Sequence, residues 1–216
     1  DHSVTELVEE SQPVTEGTEE RLMAAYTRLV PNYETVIISG TKAAGFSDAV
    51  VPYMVRQAKK AGCFVILDIR GKDLINSLAY KPDIIKPNLF EFVETFIPDV
   101  KPRLFAVDTP EEEALMRDPI QKLCLELCQA YQCRIVLTRG AKSIWFAEPG
   151  RFAEYAFEAL QPVNTTGSGD AFTAGLAVAL SDGADLRAAV AEGARCGRLN
   201  AGLLKVGVIA DEEHRT

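Results

Sequence analysis

Asn164-Thr165-Thr166-Gly167-Ser168-Gly169-Asp170, running into Ala171-Phe172-Thr173-Ala174-Gly175-Leu176-Ala177, is a glycine turn that opens an Ala-rich helix. The helix is expected over Ser168–Leu180. Two glycines permit a tight turn with positive φ and close backbone approach to a ligand. Where a helix starts at such a turn, its first N–H groups and its dipole converge on one spot, which makes an anion site. Asp170 replaces the Lys-Ser/Thr of a Walker loop, and Phe172 stands where a dinucleotide fingerprint has its third glycine. A carboxylate beside an anion cradle can accept a proton from an attacking hydroxyl; it can also be an ordinary first-turn acid.

Upstream, the chain alternates short β-branched runs with amphipathic stretches. Strands are expected at Thr35–Ser39, Cys63–Asp68, Ile84–Lys86, Arg134–Thr138 and Ser143–Ala147, with a further one at Tyr155–Phe157. Helices are expected at Glu19–Val30, from Ser47 to Ala61, Lys72–Ala79, Leu89–Phe96, from Pro119 to Tyr131 and Leu186–Leu199. In the first of these Leu22, Met23, Tyr26, Leu29 and Val30 form the apolar face. Val4–Glu9 reads as one more short strand. The alternation predicts an α/β fold with a mainly parallel sheet between helices. Ligands of such sheets bind at the carboxyl ends of the strands. That rule selects Ser39-Gly40, Asp68, Lys86-Pro87-Asn88 and Thr138-Arg139-Gly140.

Composition narrows the chemistry. The 216 residues are 47% hydrophobic and 25% charged, an ordinary globular balance. Lys+Arg 23 against Asp+Glu 31 gives a net charge of −8, so neither a nucleic acid nor an anionic membrane is the expected partner. The two histidines, His2 and His214, sit at the chain ends, which argues against Ser–His–Asp catalysis and a His-rich zinc site. Cys63, Cys124, Cys128, Cys133 and Cys196 lie in apolar stretches without CxxC spacing. They read as buried thiols of a cytoplasmic protein rather than metal ligands.

The run N-T-T-G-S-G-D-A-F-T-A-G-L-A resembles the C-terminal signature of the PfkB family of carbohydrate kinases, which have the ribokinase-like fold. Lys86-Pro87-Asn88-Leu89-Phe90-Glu91 resembles the family's lysine and N-x-x-E element, and Thr138-Arg139-Gly140 its T-x-G element. Among family members the pattern is most like 1-phosphofructokinase and tagatose-6-phosphate kinase. The resemblance runs from about Val4 to Ala210 and corresponds to the C-terminal, nucleotide-binding portion of the domain. The family's N-terminal strands and most of its lid have no counterpart in it. Residues 1–17 would be a remnant lid strand and linker, with a homodimer possible through that strand.

The resemblance implies ATP-dependent phosphoryl transfer to a hydroxyl of a sugar or sugar phosphate, a phosphorylated ketohexose above all. Asp170 falls on the general base, and Gly167, Ser168 and Gly169 on the anion hole. Lys86, Asn88, Glu91, Thr138, Gly140 and Asn200 fall on nucleotide-binding positions, with Asn88 and Glu91 organising Mg²⁺ through water. Asn88 and Glu91 also spell a capping box for the helix at Leu89. Ser39-Gly40-Thr41-Lys42-Ala43-Ala44-Gly45 replaces the family loop near the substrate phosphate. Lys42 there either pairs with that phosphate or is a solvated loop lysine. Asp68 reads as structural. The alternative from another class is a non-catalytic nucleotide-binding or interaction module.

Overall fold

The computed structural model describes residues 12–98, 110–158 and 160–209. The expected strand Val4–Glu9, and with it the expected dimer edge, lies outside them, as do both histidines.

Six strands form one sheet in sequential order, β1 (Thr35–Ser39), β2 (Phe64–Asp68), β3 (Ile84–Ile85), β4 (Arg134–Leu137), β5 (Ile144–Glu148) and β6 (Arg151–Tyr155). β1 to β4 are parallel, and β5 and β6 add antiparallel. The helices are α1 (Thr18–Leu29), α2 (Val50–Lys60), α3 (Gly71–Leu78), α4 (Leu89–Phe96), α5 (Pro110–Tyr131), α6 (Ser168–Ser181) and α7 (Leu186–Ala201). Among the described residues, no helix is long and apolar enough to cross a membrane.

Side chains alternate across a strand, and this alternation separates two cores. Val65, Leu67, Ile85, Ile135, Leu137 and Trp145 pack with buried residues of α2, α3, α4 and α5. Ile66, Ile84, Val136, Ile144 and Phe146 face α6 and α7 on the other side. β2, β3 and β4 are therefore buried on both faces, as their unbroken apolar runs require, whereas β1, at the end of the strand order, leaves Ile37 exposed. All five cysteines are free and buried.

Two boundaries and one helix face differ from expectation. α5 starts at Pro110 and carries Pro119 in its interior. An internal proline removes one helical bond, and the carbonyl it orphans belongs to Leu115, in a turn where the side chain is 78% exposed and water can replace the bond. β6 begins at Arg151, four residues before the expected strand, because Pro149-Gly150 makes a tight hairpin with Gly150 at φ +78°. α1 buries no residue: Met23 and Tyr26 touch the core, but Leu22 and Leu29 of its apolar face are exposed.

Helix α6 is narrow because α7 needs the space. A Cβ added to Gly175 would lie 2.7 Å from Cys196 Sγ, and one on Gly193 would lie 2.9 Å from the Phe172 carbonyl. Close approach of these helices fixes where α6 begins.

Candidate active site

Gly167 caps α6 in the left-handed region at φ +78°, with no side-chain cap on the helix. A Cβ there would meet Val206 Cγ1 at 2.6 Å, so only glycine fits. Gly169 is different. Its φ is not positive, and a Cβ would find no atom within 4 Å. The expectation of two strained glycines is thus corrected to one. Within the expected anion hole the Ser168 N–H is already spent on the Thr165 carbonyl at 3.1 Å, and Ala171 N–H bonds the Gly167 carbonyl at 2.9 Å. The donors of the first turn that remain for a ligand, among the described residues, are the Gly169 and Asp170 N–H groups.

Asn200 was expected on the nucleotide. Its side chain is 1% exposed and braces the turn instead. Nδ2 donates to the Thr166 carbonyl at 2.9 Å and to Ser168 Oγ at 3.2 Å, while Oδ1 accepts from Gly207 N–H at 2.9 Å. Both donors of this buried amide and one lone pair of its oxygen are thus spent within the fold, tying α7 to the turn.

Asp170 is exposed, and its Oδ1 accepts a hydrogen bond from Ser39 Oγ at 3.1 Å. That contact joins the first turn of α6 to the carboxyl end of β1. Register puts Ser39 beside Asp68 at the end of β2. Asp68 Oδ2 lies 3.0 Å from Lys86 Nζ and 2.8 Å from Thr173 Oγ1, which is also 2.9 Å from the Gly169 carbonyl. Burial pushes the Asp68 carboxyl above the ordinary aspartate range, and the Lys86 charge and the Thr173 hydroxyl pull it back. Sequence reading left Asp68 without a partner; the fold supplies Lys86 from the neighbouring strand. Lys86 stands at the end of β3 as expected, but its ammonium is sealed against Asp68 and lies 5.6 Å from the Phe172 ring centre.

Asn88 and Glu91 form a complete capping box on α4. Glu91 N–H donates to Asn88 Oδ1 at 2.8 Å, and Asn88 N–H donates to Glu91 Oε2 at 2.9 Å. The other oxygen, Oε1, faces Arg70 at 3.8 Å. Thr138 meets Asn88 in an isolated parallel bridge, and its carbonyl accepts from Leu89 N–H at 2.9 Å. Gly140 follows at φ +62° with open space around it. Between them Arg139 is held by the Ser143 carbonyl at 2.7 Å and lies 3.9 Å over the Trp145 ring. Lys42 is not a solvated lysine: Asp48 holds it at 2.8 Å and Asp73 at 2.7 Å. A phosphate there would have to displace a carboxylate.

Among the described residues, one cavity borders the turn and another lies at the ends of β1 and β2. The first, about 310 Å³ and mostly apolar, gathers Thr138, Gly140, Ser168 and Gly169 of the expected site. Phe157, Leu160, Phe172, Ala194, Gly197 and Ala201 complete much of its wall. Sequence reading missed these, although the small residues 194, 197 and 201 follow a helical spacing that marks one open face of α7. The second cavity, about 380 Å³, is lined by Gly40, Thr41, Ile69, Arg70, Gly71, Asp73 and Glu94. Among the described residues no group of three or more His, Cys, Asp or Glu side chains is placed to hold a metal ion.

Known proteins share this layout. The profile of the pfkB family carbohydrate kinases matches residues 5–213. The bifunctional protein HldE of Hyphomonas neptunium is 28% identical over 180 residues, covering 82% of this chain and 34% of that protein. A possible 1-phosphofructokinase from Thermotoga maritima superposes with TM-score 0.76 at 20% identity, over 98% of this chain and 62% of that one. Escherichia coli phosphofructokinase-2, in complex with potassium, gives TM-score 0.74 at 19% identity, over 92% and 60%. The chain therefore spans about a third of the HldE relative and about three fifths of these kinases. With the profile matched along nearly its whole length, the chain belongs to the pfkB family of carbohydrate kinases.

Proposed function

We propose that this chain is the nucleotide-binding and catalytic portion of a kinase that transfers the γ-phosphoryl group of ATP to a hydroxyl of a phosphorylated sugar, a ketohexose phosphate in particular. One observation carries the reading. Gly169 lines the apolar cavity, and the next residue, Asp170, reaches Ser39, whose neighbour Gly40 lines the second cavity. A donor and an acceptor held in the two cavities would meet at Asp170.

The first cavity suits a purine. It is within the usual size of small-molecule pockets, about 300–1,000 Å³, and its lining is apolar with Thr138 and Ser168 at its edge. The phosphates would then run toward the N-terminus of α6, where the Gly169 and Asp170 N–H groups and the helix dipole favour negative charge. Asp170 would take the proton of the acceptor hydroxyl as that oxygen attacks phosphorus. Ser39 orients the carboxylate by occupying Oδ1, leaving Oδ2 for the hydroxyl. Asn200 and Gly167 hold the turn rigid.

Mg²⁺ suits the donors present, because it keeps several waters and takes oxygens from nucleotide phosphates, needing few protein carboxylates. Glu91, through Oε1, with Asn88 beside it, would hold the hydrated ion; when bound, it neutralises charge on the transferring phosphoryl group. The buried Lys86–Asp68 pair, neutral overall, ties the ends of β2 and β3 together behind the site.

The test is Mg-ATP turnover with a panel of ketohexose phosphates, plain sugars and nucleosides as acceptors, together with Asp170→Asn. Phosphorylation of a ketohexose phosphate that is lost in Asp170→Asn supports the reading. Saturable nucleotide binding with no transfer to any acceptor would make the chain a non-catalytic nucleotide-binding module.

A further inference from the structure

Part of the wall of the first cavity is the turn between β4 and β5, which contributes Thr138, Gly140 and Ala141, with Ile144 just beyond it. Lys142 N–H donates to the Arg139 carbonyl at 3.1 Å and closes a β-turn with Gly140 and Ala141 at its centre. Gly140 has φ +62°, and a Cβ on it would meet no atom within 4 Å, so nothing packs the turn from outside. A single backbone bond around a glycine leaves such a turn with considerable conformational freedom.

The Arg139 side chain supplies the second hold. It is 4% exposed and does not line the cavity. Nε donates to the Ser143 carbonyl at 2.7 Å, and Nη2 donates to Ser143 Oγ and, at 3.4 Å, to Glu154 Oε1. Ser143 Oγ in turn donates to Glu154 Oε1, and Arg117 on α5 holds Glu154 Oε2 at 2.6 Å. The guanidinium also lies 3.9 Å over the ring of Trp145 on β5. Elements α5, β5 and β6 thus grip one side chain whose backbone begins the turn. A buried cation is costly unless it is paired and hydrogen-bonded, as this one is, and the site chemistry described above makes no use of it.

We propose that Arg139 is a positioning residue for the donor nucleotide: its guanidinium clamps the turn from 139 to 143, so that Thr138, Gly140 and Ala141 hold the shape of the base cavity before the nucleotide arrives. Order present in the free protein need not be created on binding, and affinity rises accordingly. Lysine could keep the charge against Glu154, but lacks the fork that holds the Ser143 carbonyl and hydroxyl together. The inference rests on the kinase reading for the identity of the cavity's ligand.

The experiment compares wild type, Arg139→Lys and Arg139→Met by calorimetric titration with Mg-AMP-PNP and by amide hydrogen exchange over residues 139–143. Val55→Ala, a truncation of a buried residue of α2, is the stability control. Arg139→Met is expected to weaken Mg-AMP-PNP at least about tenfold, the effect of losing a charge-assisted hydrogen bond, and Arg139→Lys about threefold. Exchange in the turn should quicken in the same order. Val55→Ala should lower the melting temperature yet leave affinity within about twofold, as a distant site does. Should Arg139→Met fail to fold, Arg139→Lys decides: affinity and exchange equal to wild type overturn the proposal. A folded Arg139→Met that binds as tightly as wild type overturns it too, and leaves the kinase reading standing. So does a loss of affinity in Val55→Ala as large as that in Arg139→Met, which would make the effect one of stability alone. Arg139-dependent nucleotide binding with no transfer to any acceptor supports the clamp while the kinase reading falls. A wild-type chain that binds no Mg-AMP-PNP at millimolar concentration overturns both.

Discussion

The Lys86 ammonium and Asp68 Oδ2 lie 3.0 Å apart, at 3% and 14% side-chain exposure, directly beneath the first turn of α6. Thr173 on α6 touches the same carboxylate oxygen, so three elements meet at one buried charge pair. Two charges taken from water gain from each other only while both are present.

Removing one partner is therefore expected to cost more than removing both. Lys86→Met or Asp68→Leu alone should destabilise the chain by about 3–5 kcal/mol, the penalty for an uncompensated buried charge. The double variant should recover much of that, giving a coupling of about 1–3 kcal/mol in a cycle of denaturant titrations. Additive losses would show that the pair acts as two independent groups.

The glycines of the turn should separate fold from ligand binding. Gly167→Ala places a Cβ 2.6 Å from Val206 at φ +78°, and a loss of about 1–3 kcal/mol is expected from strain of that kind. Gly169→Ala meets nothing and should leave the melting temperature within about 2 °C. Its methyl instead narrows the first cavity, so nucleotide affinity should fall while stability holds. Thermal melts with and without Mg-AMP-PNP read both quantities.

Glu154 gives a pH signature. Burial alone would raise its carboxyl, but hydrogen bonds from Ser143 and Arg117 and the charges of Arg117 and Arg139 bring it below the ordinary glutamate range. A depressed folded pKa stabilises above the unfolded value of 4.5, and that stability is lost as pH falls through the folded value. Glu154→Gln should thus be less stable than wild type at pH 7, and the difference should shrink below pH 4.5. Urea midpoints at pH 7, 5 and 3.5 test the trend. Because the cluster pins Arg139 between Thr138 and Gly140, the variant should also loosen the edge of the first cavity.

The sheet and most helices were legible because each parallel strand is an unbroken apolar run, such as Thr35–Ser39 or Phe64–Asp68, closed by a polar residue. The turn at Gly167 and the helix start at Ser168 were legible because glycines before an Ala-rich run mark such a junction locally. What escaped was long-range. Asp68 meets Lys86 only when β2 and β3 pair, and Asn200 meets Thr166 only when α7 folds against α6. Lys42 meets Asp73 only when α3 packs beside the loop after β1. α5 went wrong for a local reason: proline was read as a start, although a solvated helix face tolerates it inside.

Asp170 and Ser39 supply the sharpest test of mechanism. Asp170→Asn keeps the size of the side chain and can still accept from Ser39, but it cannot take up a proton. Turnover should fall by about two to four orders of magnitude, the usual contribution of a general base. Mg-AMP-PNP affinity should hold or rise slightly, because a negative charge beside the phosphates is gone. Ser39→Ala leaves the base in place and frees its orientation, so kcat should fall by a smaller factor, about three- to thirtyfold, the worth of one net hydrogen bond of some 0.5–2 kcal/mol. Since Ser39 acts through Asp170, adding Ser39→Ala to Asp170→Asn should cost almost nothing more. Independent, multiplying losses would place Ser39 on the substrate rather than on the carboxylate, and turnover of Asp170→Asn within threefold of wild type would remove Asp170 from the chemistry.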